Sequence, residues 1–212
     1  MKAIVITAYG GPEVLAVTDL PDPEPGAGEV LIRVRAFGLN HAETYMRSGN
    51  WGKVAQVPGI ECAGTVAADP SGRLAAGTVV VAILGGMGRT RDGSYAELVA
   101  VPASNVVPVT TSLSWTDLVA LPEVYATAWA GLYENLGLRP GQTVLVRGAT
   151  SSLGQAAVPN SRTWSASCPS SVRTSAAPRS CSRAARLGWR LVAITTAPPS
   201  ACLLYTSDAA DE

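Results

Sequence analysis

Residues 139–154 read Arg-Pro-Gly-Gln-Thr-Val-Leu-Val-Arg-Gly-Ala-Thr-Ser-Ser-Leu-Gly, and this stretch decides the fold class of the second half of the chain. Its first part is a tight turn at Pro140-Gly141. The apolar run that follows predicts a buried strand over Thr143–Val146. Small residues then open a helix. This order is typical of the first βα unit of a dinucleotide-binding domain, in which the pyrophosphate lies at the helix N-terminus.

The turn after this strand is less rich in glycine than the G-x-G-x-x-G pattern, because Ser151 and Ser152 lie in its middle. Serine is small enough for the backbone to approach a ligand closely, and its hydroxyl can add a phosphate contact. The motif alone is a weak indicator of nucleotide binding. Its position directly after a predicted strand makes the prediction stronger.

The composition of the chain changes at about Pro159. Between Pro159 and Ser207 there is no Asp, Glu or Lys, every basic residue is Arg, and Ser, Ala and Pro dominate. One interpretation is a disordered, basic, low-complexity segment. We favour a shifted reading frame in GC-rich DNA, because such frames yield these residues. Residues 202–212 resemble a translated sequencing adapter.

The genetic code allows a check on the frameshift hypothesis. When the third base of each codon from Pro159 is read with the first two bases of the next, the permitted residues begin Glu or Lys, Leu, Ala. They continue the helix that starts near Leu153 and end it at a glycine. We therefore expect the readable part of the sequence to end at about residue 158, and the chain to be a truncated form of its parent protein.

Composition and charge exclude several classes of protein. The 212 residues are 47% hydrophobic and 15% charged, with a formal net charge of zero, so we expect a globular protein with no nucleic-acid partner. No apolar run approaches the roughly 20 residues of a membrane span, and the N-terminus is too short for a signal peptide, so we expect a cytoplasmic protein without a membrane partner. Only Cys62 precedes residue 159, which leaves no disulfide framework.

The order of predicted elements indicates a mixed β and α/β chain. Short strands separated by Gly and Pro, the last of them over Gly93–Val101, predict a small β-barrel over residues 1–120. Ser114 is predicted to be the N-cap of the helix that follows. Helical periodicity over Leu121–Leu136 and the strand after it predict the start of an incomplete Rossmann domain over residues 121–158. We assign residues 159–201 to the frameshifted segment and residues 202–212 to the adapter-derived tail.

Several motifs agree in order and spacing with one family. The chain resembles the medium-chain dehydrogenase/reductase superfamily, in its zinc-free, zeta-crystallin-like NADPH:quinone reductase branch. The resemblance covers residues 1–158, with a GroES-like barrel followed by a Rossmann domain. The matching motifs are Gly11–Leu15, Gly28–Val34, Gly38–Gly49, Pro58–Val66 and Asp92–Glu97.

The residues also address the question of zinc. In zinc-dependent relatives a Cys lies near the position of Asn40 and a His precedes Glu61, whereas here Ile60 precedes Glu61. Neither Asn40 nor Ile60 supplies a thiolate or imidazole ligand. His41 is the only histidine, so we expect no metal site. We favour packing beside the cofactor over proton transfer as the role of His41.

The resemblance implies a set of site residues. Asn40 and Tyr45 line the pocket of the nicotinamide and the substrate, where an amide and a phenol can hydrogen-bond a carbonyl oxygen as negative charge develops on it. Tyr45 is equally well explained as an aromatic residue on the barrel rim. Residues implied to contact the cofactor are Asn40, His41, Thr127, Gly148, Ala149, Ser151, Ser152, Leu153 and Gly154.

Two buried residues near this loop are interpreted as structural. A carboxylate at Glu61, among small apolar residues, needs a partner, which is Arg47 or a backbone amide. Cys62 is expected to be a buried, inert thiol.

The expected parent activity is hydride transfer from NADPH, with NADH as an alternative, to a quinone or an activated enone. Other hypotheses are an enoyl thioester reductase or a relative of the zinc-type alcohol dehydrogenases. A further hypothesis is that this chain is a fragment without activity, because one parallel strand cannot complete a Rossmann sheet. The resemblance implies a homodimeric parent, and dimerisation of this chain is in doubt.

Overall fold

The computed structural model describes residues 1–139, 142, 144–163, 172–175 and 190–193. The chain divides into two compact units, Met1–Glu123 and Val124–Glu212. The predicted turn at Pro140-Gly141 and residues 202–212, interpreted above as adapter-derived, lie outside the described residues. So does most of the segment 159–201, for which we favour a shifted reading frame.

The first unit is built from antiparallel strands. A two-stranded sheet pairs β1 with β2, and a five-stranded sheet has the order β6-β3-β4-β5-β7. An isolated antiparallel bridge also joins Ala3 to Ala96. This curled antiparallel arrangement confirms the predicted barrel-type fold. The elements of this unit are β1 (Lys2–Ile6), β2 (Leu15–Asp19), β3 (Glu29–Phe37), α1 (His41–Ser48), β4 (Glu61–Ala68), β5 (Val79–Ile83), β6 (Leu98–Pro102), β7 (Val106–Pro108) and α2 (Trp115–Val119).

Alternation along β3 creates the core of the first unit. Val30 and Ile32 are fully buried, while Arg33 and Arg35 on the other face are exposed. The same core contains residues of β4, β5 and β6, including Val80 and Val101. A register shift between Val34 and Ala36 bends the end of β3, so its last residues are only half buried.

Two elements of the first unit differ from the sequence prediction. The strand predicted to begin at Gly93 begins at Leu98, because the backbone of residues 93–95 bonds instead to the loop before β4. Gly93 and Tyr95 donate their N–H groups to Val57 and Pro58 there. The three-residue strand β7 was not predicted and pairs with β5.

The second unit contains a parallel sheet. Strand β8 (Val144–Arg147) lies between β9 (Val172–Ser175) and β10 (Arg190–Ala193), and both neighbours are parallel to it. Helix α4 (Ser152–Thr163) follows β8. The sequence predicted a single strand in this unit, so the two further strands correct that expectation. Short segments that contain Val, Leu and Thr are sufficient to pair with a central apolar strand.

The predicted helix over Leu121–Leu136 is divided into two forms. Residues Pro122–Trp129 form the α-helix α3, and Ala130–Asn135 form a π-helix. Leu136 donates its N–H to the carbonyl of Gly131, five residues earlier. Hydrophobic periodicity cannot distinguish these forms over six residues, because the pattern covers less than two turns of either helix.

Candidate functional site

Helix α1 carries most of the predicted site residues of the first unit, and its two ends are fixed by specific backbone contacts. At the N-terminus, the Glu43 carboxylate accepts the backbone N–H of Asn40 at 2.5 Å. At the C-terminus, Gly49 has a φ of 80°, a left-handed conformation that glycine adopts at little cost. Gly49 and Asn50 donate their N–H groups to the carbonyls of Met46 and Tyr45. The helix therefore holds its side chains in defined positions.

Two buried carboxylates lie at the start of this helix, Glu43 on α1 itself and Glu61 on β4. Glu43 is 6% exposed and Glu61 is 4% exposed. Glu43 accepts hydrogen bonds from the Ile60 backbone N–H at 3.1 Å and from the Tyr95 hydroxyl at 2.9 Å, in addition to the Asn40 contact. Each carboxylate is stabilised by neutral donors.

Glu61 has a backbone amide as a hydrogen-bond partner, which is one of the two partners that the sequence suggested. Its carboxylate accepts the Asn40 side-chain amide at 2.8 Å and the Glu123 backbone N–H at 2.9 Å. Arg47, the other proposed partner, donates instead to the carbonyl of Gly10 at 3.1 Å. A backbone amide and a side-chain amide thus satisfy the carboxylate.

Burial dominates the electrostatics of this cluster. It raises the pKa of both Glu43 and Glu61, against the opposing effect of their hydrogen bonds. Burial and the nearby Glu43 carboxylate also raise the pKa of the Tyr95 phenol. Burial raises the pKa of the Cys62 thiol to about 12, which fits the expected inert thiol.

The Asn40 side chain connects the helix to the buried carboxylates. Its amide nitrogen donates to Glu61 while its backbone N–H donates to Glu43. The sequence pattern Asn-x-x-Glu is a helix-start signal that could have identified Glu43 as a partner of Asn40. The predicted contact of Asn40 with substrate or cofactor stays a prediction.

An aromatic surface lies at the exposed side of α1. The Nε2 atom of the exposed His41 is 3.0 Å from the Tyr45 hydroxyl. The rings of Tyr45 and Trp51 are inclined by only 20°, with their centroids 6.5 Å apart. Trp51 is 40% exposed and was not singled out in the sequence. Its place directly after the helix-ending Gly49-Asn50 pair is the signal that could have found it.

In the second unit, the turn between β8 and α4 forms as predicted. Gly148 has a φ of 72°, and a Cβ at Gly154 would lie 2.2 Å from the carbonyl oxygen of Gly148. The two glycines at the ends of the turn are therefore required by its geometry. They let the helix pack closely against the strand.

The hydroxyl of Ser151 is used within this turn. It donates to the carbonyl of Gly148 at 2.8 Å and accepts the N–H of Gly154 at 3.1 Å, so Ser151 caps α4. This local role differs from the phosphate contact suggested by the sequence. Ser152 is exposed at the first position of the helix, whereas Ala149 and Leu153 are half buried. Thr127 is exposed on α3 of the same unit.

The described part of the chain lacks both a cluster of metal-ligating side chains and a helix suited to cross a membrane. It contains no group of three or more His, Cys, Asp or Glu side chains arranged to hold a metal ion. None of its helices combines the length and the apolar character that crossing a membrane requires.

Comparison with known proteins identifies relatives of this chain. Residues 26–111 match the family described as the alcohol dehydrogenase GroES-like domain. The chain is 35% identical over 161 residues to the synaptic vesicle membrane protein VAT-1 homolog-like of Mus musculus, and the match covers 74% of this chain and 37% of that protein. It is 33% identical over 162 residues to quinone oxidoreductase of Mus musculus, and the match covers 74% of this chain and 47% of that protein.

Solved structures agree with these relatives. The structure of the quinone oxidoreductase from Thermus thermophilus, solved also in complex with NADPH, matches with a TM-score of 0.65 and 33% identity. The match covers 91% of this chain and 59% of that chain. The chain spans less than half the length of both mouse relatives.

Proposed function

Since this chain carries the GroES-like domain of the medium-chain dehydrogenase/reductase superfamily, we propose that its complete form is a zinc-free oxidoreductase that transfers hydride from NADPH to a quinone. Similarity to quinone oxidoreductases over 74% of the chain supports this activity. The cytoplasm is the proposed location, and a homodimer is the proposed form of the complete protein.

The observation that carries this proposal is the surface formed by Tyr45 and Trp51. It combines two nearly parallel aromatic rings with a hydroxyl donor on one of them. A planar quinone can stack on aromatic rings, while its carbonyl oxygen needs a donor as negative charge develops on it. Tyr45 supplies both kinds of contact from one side chain.

The residues of the second unit fit the phosphates of a dinucleotide. In the first turn of a helix the backbone N–H groups have no intrahelical partner. In α4 one of them, the N–H of Gly154, is accepted by the Ser151 hydroxyl. The N–H groups of Ser152 and Leu153 are proposed to bind the pyrophosphate, with Gly148 and Ala149 giving close access. The nicotinamide, when bound, supplies the hydride.

The proton for the reduced acceptor is assigned to the Tyr45 hydroxyl. His41, at 3.0 Å from this hydroxyl, orients it. Asn40, held by two buried carboxylates, is proposed to fix the start of α1 and to contact the nicotinamide or the acceptor carbonyl. Thr127 is proposed to contact the nicotinamide.

The proposal is tested on the complete protein expressed from its source DNA in the intact reading frame. NADPH oxidation is measured by the loss of nicotinamide absorbance with a naphthoquinone, an enal and an enoyl thioester. We expect the quinone to be the fastest acceptor, and Tyr45→Phe to lower kcat by about a hundredfold because the proton donor is lost.

Tyr9→Phe is the matched control, because the exposed Tyr9 donates its hydroxyl to the carbonyl of Gly52 at 3.3 Å, and the proposal gives it no part in proton transfer. Faster turnover with the enoyl thioester would favour the enoyl reductase hypothesis. Absence of NADPH oxidation with all three acceptors would refute the oxidoreductase proposal.

A further inference from the structure

Arg89 adds a cation to the aromatic surface. Its guanidinium carbon lies 5.6 Å from the centroid of the Trp51 ring. Among the described residues Arg89 forms no ion pair and no side-chain hydrogen bond. Arg91, two residues later, is instead paired with Glu29. Within the described part of the chain, the positive charge of Arg89 is thus held on an aromatic face without a carboxylate partner.

The backbone places Arg89 beside Trp51. Met87 is 1% exposed and anchors the preceding loop in the core. The carbonyl of Gly88 accepts the N–H of Ala55, and Arg89 donates its own N–H to Gly86 at 3.0 Å. These contacts fix the loop backbone at Arg89. They leave its side chain able to change rotamer.

The guanidinium of Arg89 lies over the Trp51 ring, and its N–H donors have no hydrogen-bond partner among the described residues. Cation–π contact uses the face of the group, whereas a carboxylate or sulfonate binds the edge through paired N–H···O bonds. An acceptor stacked on Tyr45 and Trp51 would bring a substituent to this edge. The charge and the geometry of Arg89 then favour an anionic substituent over a neutral one.

We infer that Arg89 is a specificity-determining residue that selects planar aromatic acceptors carrying a carboxylate or sulfonate group. This inference rests on the proposed function, which makes the Tyr45 and Trp51 surface the acceptor site. It goes further by naming the charge of the acceptor and the residue that recognises it.

The test measures binding to the 212-residue chain and needs no cofactor. The probes are anthraquinone sulfonate and its neutral hydroxymethyl analogue, substituted at the same ring position and titrated by calorimetry. We expect tighter binding of the sulfonate, and a loss of affinity of up to about fivefold in Arg89→Ala, the range of an exposed ion pair. The neutral probe should bind both proteins equally. Arg89→Lys should retain part of the preference, because it keeps the charge without the planar group.

Arg35→Ala is the matched control. The guanidinium carbon of Arg35 lies 5.7 Å from the ring centroid of Trp115, so it is a second arginine over a tryptophan ring in the same unit. Neither residue belongs to the surface formed by Tyr45 and Trp51. We expect this variant to bind both probes like the wild type, and we expect the preference for the sulfonate to decrease as salt is raised.

Three results would overturn the inference: equal affinity for the two probes, no binding of either probe, or the same loss in Arg35→Ala as in Arg89→Ala. These outcomes are separate from the fate of the proposed function. A complete protein that oxidises NADPH with neutral and anionic quinones at equal rates would retain the proposed function and refute the role of Arg89.

Discussion

The residues that most constrain the site are two carboxylates held by neutral donors. Glu43 and Glu61 are both almost fully buried, and amide and hydroxyl groups supply their hydrogen bonds within the described part of the chain. An ionised carboxylate in such a place is stabilised by its hydrogen bonds but loses its hydration. The start of α1 is therefore held by groups whose charge depends on pH.

The first prediction follows from the raised pKa of Glu61. Because the folded pKa exceeds the unfolded one, its contribution to stability is fully present below about pH 4.5 and is lost as pH rises through the folded pKa. Glu61→Gln removes this ionisation. Its carbonyl can accept the Glu123 N–H, and its amide can donate to Asn40 once the Asn40 amide is rotated.

We expect the stability of Glu61→Gln relative to the wild type to increase as pH is raised from about 4 to about 8, because only the wild type has a buried carboxyl to ionise. Thermal unfolding across this range, followed by circular dichroism, measures the difference. Glu24→Gln, at an exposed position, should leave the pH dependence unchanged. An unchanged slope in Glu61→Gln would mean that Glu61 has the same pKa in the folded and unfolded states, and would contradict the prediction.

For single residues, the sequence predicted which side chains are buried better than it predicted which side chains contact each other. The small apolar neighbours of Glu61 and Cys62 were enough to predict that both are buried, and the backbone amide was one of two partners considered for Glu61. The contacts of Tyr95 with Glu43, and of Arg89 with Trp51, join residues far apart in the chain. No local pattern encodes such pairs, because tertiary packing determines them.

At the scale of elements, the start of α4 depends on one serine. The Ser151 hydroxyl accepts the N–H of Gly154, while the neighbouring Ser152 is exposed. We expect Ser151→Ala to destabilise the helix by about 1 kcal/mol, the usual cost of losing an N-cap. Hydrogen exchange of residues 152–161 measures this change.

Ser152→Ala is the matched control and should change the stability by less than about 0.5 kcal/mol. Equal effects of the two substitutions would mean that the cap is not formed by the Ser151 side chain.

Helix α4 also contains a proline, Pro159, which destabilises it. Pro159 lies inside the helix and cannot donate to the carbonyl of Gln155, four residues earlier. We expect Pro159→Ala to stabilise the second unit by up to about 3 kcal/mol. Slower hydrogen exchange confined to the second unit would confirm this, with the peptides of the first unit as an internal control. Faster exchange in the variant would contradict it.

The boundaries of elements follow from local chemistry where a cap or a turn is present. Asn40 and Gly49 mark α1, and Ser114 was predicted as the N-cap of α2, where its side chain accepts the N–H of Asp117. The π-helix at Ala130–Asn135 and the short β7 were missed. Both depend on which partner the backbone meets, and the sequence of either segment carries no local signal for that partner.

The order of the two units was predictable from the sequence. Hydrophobic residues follow a strand pattern in the barrel and a helical pattern after it, which marks the start of the α/β unit. The two strands on either side of β8 were not predictable, since the segments around them have the composition of a shifted reading frame. The resulting parallel sheet gives the glycine-containing turn its expected position at the end of a central strand. The question at this scale is whether that turn suffices for binding.

We predict that the 212-residue chain does not bind NADPH or NADH with a Kd below about 1 mM, equivalent to roughly −4 kcal/mol. The turn that is proposed to bind phosphate is formed, but the residue that recognises the ribose lies about 20 positions further along in this fold. For NADH that residue is an Asp or Glu, and none occurs between Pro159 and Ser207. For NADPH it is an Arg beside the 2′-phosphate, and under the frameshift interpretation the arginines of this segment do not occupy the positions of the parent fold. Titration of the chain into NADPH, with its fluorescence as the signal, measures the affinity.

Protein translated from the same DNA in the intact frame is the control, and we expect it to bind NADPH with micromolar affinity. Saturable micromolar binding by the 212-residue chain would contradict the prediction, and would mean that the turn and three parallel strands carry enough of the site.

Sequencing the source DNA through codon 158 decides between the two interpretations of the tail. If no alternative frame is open there, the arginine-rich segment belongs to the protein, and the ribose must be recognised without an acidic residue.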